Sequence, residues 1–209
     1  MSEIIKRRGG EILCFLGHNN TGKSAESIFY IEQFCKKRKK IKNKNKNFNR
    51  LAVFDPQNRY QKYLEKGDLN ITPLNDDWFL TVSKFRDSLV VLDDHRQLID
   101  TDTIDKRILN LLFLRSEYGI DFIIITHFAK LIQPKLVGYI DKYLMFYNLG
   151  EDKDFDRTAN SKLFIKLKEI INKEYRRYSP EEYDKLYPNF PYIYYNGRND
   201  RAVKINFKK

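Results

Sequence analysis

Cysteine is scarce in this chain, and its scarcity excludes whole classes of fold. Cys14 and Cys35 are the only two among 209 residues. Two are too few for a disulfide framework, and no Cys/His cluster has the spacing of a zinc site. Cys14 stands in an apolar run and reads as a small core hydrophobe. Long apolar runs are missing as well. No window reaches the roughly 18 apolar residues of a membrane-spanning helix, and the opening MSEIIKRRGG has no apolar stretch long enough for a signal peptide. The expectation is a soluble intracellular protein with no membrane span. No internal repeat is visible.

What is present points to a folded, basic domain. Apolar residues make up 42% and aromatics 14% of the chain, too much for global disorder. The length suits one sizeable core, so a single domain is expected. Lys and Arg number 39 against 28 Asp and Glu, a net charge of +11. Such an excess suits a polyanionic partner, nucleic acid or an anionic membrane surface. A compositional bias towards Lys, Asn, Ile and Tyr would produce the same excess.

Short apolar runs alternate with helical periodicity. EILCFLG, Glu11 to Gly17, reads as a buried parallel strand ended by glycine. Ile28, Ile31, Phe34 and Cys35 then recur at helical spacing, which predicts a helix from Gly22 to about Lys37. Further strands are predicted at Leu51–Phe54, Leu89–Leu92, Ile120–His127 and Lys142–Asn148. A helix capped by Asp102 or Thr103 would put Ile104, Ile108, Leu111 and Leu112 on one face. A short helix is predicted near Pro134. Together these imply an α/β fold with a mostly parallel sheet and helices on both faces. The core spans about 11–148, followed by an extension over 150–209. There the polar 151–162 reads as a loop, Leu163–Ile171 leaves helix and strand both open, and PYIYYN and RAVKINF form an antiparallel hairpin.

The first strand leads into FLGHNNTGKS. Gly17, Gly22, Lys23 and Ser24 fit G-x-x-x-x-G-K-[ST], and strand, glycine loop and helix are the context that a phosphate loop requires. Such a loop aims several backbone N–H groups and a helix dipole at one point. Gly17, His18, Asn19, Asn20, Thr21, Gly22, Lys23, Ser24 and Ala25 are therefore the candidate contacts for ATP. Lys23 would reach the β- and γ-phosphates, and the Ser24 hydroxyl would ligate Mg²⁺. In VVLDDH, Asp93 ends a buried strand, where open α/β sheets bind ligands, and is the candidate metal carboxylate. Asp94 either polarises the attacking water or caps the following helix. Thr126 and His127 end another strand beside the site, as a γ-phosphate sensor or as structural groups.

The order GHNNTGKS, AVFDPQNRY, VVLDDHRQL, LRSEYGIDFIIITHF resembles the FtsK–HerA class of DNA-translocating ATPases. It is most similar to the viral genome-packaging branch, together with the Zot-like assembly ATPases of filamentous phages. The resemblance runs from about Glu11 to Asn148. Its more specific parts are the aspartate-proline turn and tyrosine of FDPQNRY, and the arginine ahead of the YGIDFIIITH strand. Where the class commonly has glutamine after that strand, Thr126 and His127 stand here.

The resemblance implies a P-loop NTPase fold and ATP hydrolysis with Mg²⁺, with Lys23, Ser24, Asp93 and Asp94 in the roles above. It also implies a homo-oligomeric ring acting on DNA at a capsid or portal vertex in the host-cell cytoplasm. Arg115 becomes the candidate arginine finger, reaching a neighbouring subunit's site in the ring, since its planar cation can stabilise spread phosphoryl charge. A surface salt bridge is the other reading of Arg115, and Arg86 and Arg96 are rivals for the finger. The segment 36–50, with nine basic residues in fifteen, is either a DNA grip or a solvated loop. Rival functions are a Zot-like assembly and export ATPase, a small P-loop nucleotide kinase, and a nucleotide-binding subunit without turnover.

Overall fold

The computed structural model describes residues 10–41, 45–71, 77–93, 106–127, 132, 134–148 and 161–208. Its centre is β1 (Ile12–Leu16), buried along its whole length. β1 pairs in parallel with β5 (Asp121–Thr126) on one side and β6 (Lys142–Met145) on the other. Beyond β5 lie β4 (Leu89–Asp93), β2 (Leu51–Phe54) and β3 (Leu69–Ile71), all parallel. Beyond β6 the hairpin β7 (Tyr192–Asn196) and β8 (Arg201–Ile205) completes an eight-stranded sheet in the order β3-β2-β4-β5-β1-β6-β7-β8.

Successive residues of a strand point to opposite faces, and both faces of a parallel sheet are covered. Ile12, Cys14 and Leu16 belong to one core layer, with Val90, Leu92, Ile124 and the buried residues of α3 (Lys106–Tyr118) and α5 (Ser161–Tyr175). Leu13 and Phe15 belong to the other, with Val91, Ile123, Ile125 and Ile31 of α1 (Lys23–Lys40). The expected mostly parallel sheet with helices on both faces is the observed one.

Several elements differ in detail from expectation. α1 continues to Lys40, so the first five residues of the basic segment are helical. Arg38 lies on the buried stripe of that helix and ion-pairs with Asp68 at 2.6 Å and Glu65 at 3.1 Å, so it is not part of a solvated loop. β6 stops at Met145 because the backbone beyond it serves other partners. Tyr147 O accepts the His18 N–H and the Asn148 N–H donates to the Asn172 side chain. The 163–171 stretch is helical, inside α5. Short elements without a periodic signature also appear: β3, a 3₁₀ turn at Gln61–Tyr63, α2 (Trp78–Val82) and α6 (Pro180–Asp184). The helix expected near Pro134 is α4 (Pro134–Val137). The Asp102/Thr103 cap and the polar 151–160 stretch lie outside the described residues.

Candidate nucleotide-binding site

β1 delivers the chain to a loop at the carboxyl ends of the parallel strands, between the ends of β5 and β6. The Gly17 N–H donates to Thr126 O at 3.3 Å and the His18 N–H to Tyr147 O at 2.7 Å. Asn20 takes a left-handed conformation, and the Thr21 hydroxyl donates back to His18 O at 2.8 Å, tightening the turn. Gly22 has φ of 99°, a value costly for any side chain, and a Cβ there would lie 2.5 Å from the Phe190 ring. Gly22 also precedes α1 without a side-chain cap. The first N–H groups of an 18-residue helix thus open towards the loop, which is the geometry that holds anions.

Lys23 is buried, 5% exposed, with its ammonium donating to Gly17 O at 2.7 Å and His18 O at 2.6 Å. Burial pulls its pKa down to about 8, partly opposed by the Asp93 carboxylate and reinforced by Arg59. Asp93 ends β4 and is buried, which pushes its carboxyl up; Arg59 and the Tyr60 hydroxyl act against that push. The Tyr60 hydroxyl lies between Ser27 Oγ at 2.9 Å and Asp93 Oδ2 at 3.0 Å. Its backbone N–H donates to Asp55 Oδ2 at 2.6 Å. The aspartate-proline turn after β2 therefore fixes the tyrosine that orients Asp93.

Arg59, which sequence reasoning did not single out, completes the cluster. Its Nη1 donates to Ser24 Oγ at 2.6 Å and to Asp93 Oδ2 at 3.1 Å. One cation thus bridges the two side chains expected to hold Mg²⁺. Hard oxygens from a serine and one carboxylate suit that ion when phosphate and water complete the shell. Among the described residues no group of three His, Cys, Asp or Glu could hold a metal alone. Ser24 and Asp93 would hold it in combination with the nucleotide.

A cleft of about 680 Å³ covers the cluster, a volume in the range of small-ligand sites. Asn19 to Ala25 line it together with Arg59, Asp93 and His127. Thr126 is buried beside it and contributes its carbonyl to the loop. The far wall comes from the C-terminal residues Asp184, Tyr187 and Phe190. The Tyr183 hydroxyl reaches across 162 residues of sequence to donate to Thr21 O at 3.2 Å. A second cleft of about 450 Å³ adjoins it along α1, sharing Ala25 and Tyr187.

Arg115 is not brought to this cluster. Its Nη1 donates to Leu112 O at 2.6 Å, and Nη2 lies 3.6 Å from Asp141, whose carboxylate accepts the N–H of Ile12. Ile12 opens β1 and the phosphate loop follows its end, so the two lie at opposite ends of the parallel strands. Arg86 is also elsewhere: it precedes β4 and stacks at 3.5 Å on Tyr118. Asp94 and Arg96 lie outside the described residues.

The sheet order, the glycine loop opening α1 and the aspartate ending β4 define a P-loop NTPase fold. No family model matches the chain, and no curated protein matches it in sequence. Solved structures do. The genome packaging NTPase B204 from Sulfolobus turreted icosahedral virus 2, in complex with ATP-gammaS, is 14% identical, with TM-score 0.67 over 94% of this chain and 96% of that one. B204, the DNA-packaging ATPase from Sulfolobus turreted icosahedral virus, is 15% identical, with TM-score 0.63 over 95% and 98%. Thermomonospora curvata EccC (ATPases 2 and 3) is 12% identical, with TM-score 0.52 over 96% of this chain and 37% of that one. At these identities the likeness is one of fold.

Proposed function

We propose that this chain is an ATPase that drives DNA into a viral capsid. The single observation that carries the reading is the convergence of Lys23, Ser24 and Asp93 in one cleft at the mouth of a loop built for phosphate. Two packaging ATPases share the fold over nearly the whole of both chains, which adds support.

The ATP triphosphate would lie against the loop N–H groups and the N-terminus of α1. Lys23 would exchange the carbonyls of Gly17 and His18 for phosphate oxygens, and Ser24 and Asp93 would hold Mg²⁺, which supplies charge neutralisation at the β- and γ-phosphates. Tyr60 would keep Asp93 turned towards that ion. Asp94, next in the chain, would polarise the attacking water, and His127 would face the terminal phosphate. The nucleoside would extend into the adjoining cleft past Tyr187.

The DNA would meet the basic run on its outer lysines. Lys36, Lys37, Lys39, Lys40 and Lys46 are exposed, whereas Arg38 is committed to Asp68. Phosphate contacts of this kind grip without reading sequence. The working form would be a ring of identical subunits at a capsid vertex, with Asp94 and a neighbour's arginine completing each site. No helix among the described residues is long and apolar enough to cross a membrane.

The test is ATP turnover by wild type beside Lys23→Ala and Asp93→Asn. Each substitution is expected to lower turnover at least about a hundredfold. ATP hydrolysis that persists in both variants would contradict the assignment.

A further inference from the structure

Arg59 stands in the cleft with no role in the sequence-based reading. A single guanidinium nitrogen, Nη1, serves both Ser24 Oγ and Asp93 Oδ2, at 2.6 and 3.1 Å. Its other terminal nitrogen, Nη2, donates to Gln57 Oε1. Asp93 Oδ2 also accepts the Tyr60 hydroxyl, so its lone pairs are already in use. A divalent ion placed on Ser24 and the Asp93 carboxylate needs the Ser24 Oγ that Arg59 already holds, and it carries the same sign of charge. The guanidinium and the metal cannot share that oxygen, and beside one carboxylate their like charges repel.

The backbone around Arg59 is pinned on both sides. The Gln57 N–H donates to Asp55 Oδ1 at 3.2 Å and the Asn58 N–H to Asp55 O at 3.2 Å. Tyr60 is held at its N–H by Asp55 and at its hydroxyl by Ser27 and Asp93. The Arg59 side chain is 36% exposed towards the cleft, so rotamer change alone can carry the guanidinium off the two oxygens. The cleft that it lines is the one walled by Asn19 to Ala25 of the phosphate loop.

Resting on the ATPase reading, we propose that Arg59 is the resident cation of the metal position, displaced by the divalent ion onto the terminal phosphate of the nucleotide. It neutralises Asp93 when no metal is bound. Once displaced, it supplies a planar charge to the γ-phosphate from within the same subunit. Arg59 is then the arginine that this chain contributes to its own site, a role distinct from that of a finger reaching a neighbour's site.

The test measures Mn²⁺ affinity of the ADP-loaded protein by electron paramagnetic resonance, for wild type, Arg59→Ala and Arg59→Lys. Removing a competing cation is expected to tighten Mn²⁺ binding about tenfold in Arg59→Ala, with Arg59→Lys between the two. In Mg²⁺, the preference of Arg59→Ala for ATP over ADP is expected to fall at least about fivefold. Equal or weaker Mn²⁺ binding by Arg59→Ala overturns the placement, and an unchanged ATP preference overturns the phosphate contact. A wild-type protein that binds no ADP contradicts the ATPase reading itself and this inference with it.

Discussion

In the proposed function Lys23 would bind phosphate only as an ammonium, yet burial pulls its pKa from the ordinary 10.5 to about 8. Below pH 8 the protein carries the full cost of the buried charge; between 8 and 10.5 the folded state sheds the proton first and the cost is relieved. Phosphate binding needs the proton back over that interval. Apparent ATP affinity of wild type is therefore expected to weaken by up to about tenfold per pH unit above pH 8, and to stay flat in Lys23→Arg. Titration by a fluorescent ATP analogue from pH 7 to 9.5 checks this, and a flat wild-type profile would contradict it. Lys23, Ser24 and Asp93 were legible because each sits at a fixed offset from a strand end. Arg59 was not, because its contact to Ser24 joins residues 35 apart through a turn that no local pattern describes.

At the scale of elements, the end of α1 shows how charge can mislead. The basic run reads as a loop beyond a helix end near Lys37, but Lys and Arg are good helix formers and extend an already nucleated helix to Lys40. Arg38 falls seven residues after Ile31, so it continues the buried stripe with a charged head. The Asp68 side chain that receives it is fully buried and also accepts the N–H of Leu51, the first residue of β2. One ion pair thus ties α1 to the β2–β3 edge. Arg38→Ala strands that carboxylate and is expected to cost about 3 kcal/mol, measured by urea unfolding. A loss below about 0.5 kcal/mol would mean that the pair behaves as a surface contact. The C-terminal hairpin was legible from two strand-like runs separated by Gly197 and polar neighbours, but its attachment to β6 was not, since antiparallel pairing with a distant strand leaves no mark on either sequence.

At the scale of the whole molecule, apolar runs alternating with helical periodicity foretold a mostly parallel sheet covered by helices, while strand order and the division of residues between the two faces came only from the structure. The same holds for the C-terminal chain. Nothing in its composition announces that Tyr183 and Phe190 return to brace Thr21 and Gly22 of the phosphate loop. That return joins the least recognisable part of the chain to its most recognisable motif. The net charge of +11 is likewise a property of the whole, and exposed lysines at the end of α1 concentrate part of it. A motor that uses this charge should couple ATP turnover to a polyanion without regard to sequence. The decisive measurement is ATP hydrolysis by the purified protein with and without long double-stranded DNA, across a salt series. Stimulation at least about fivefold, independent of DNA sequence and lost as salt rises, is the expected result. Turnover that ignores DNA at every salt concentration would contradict the packaging-motor reading.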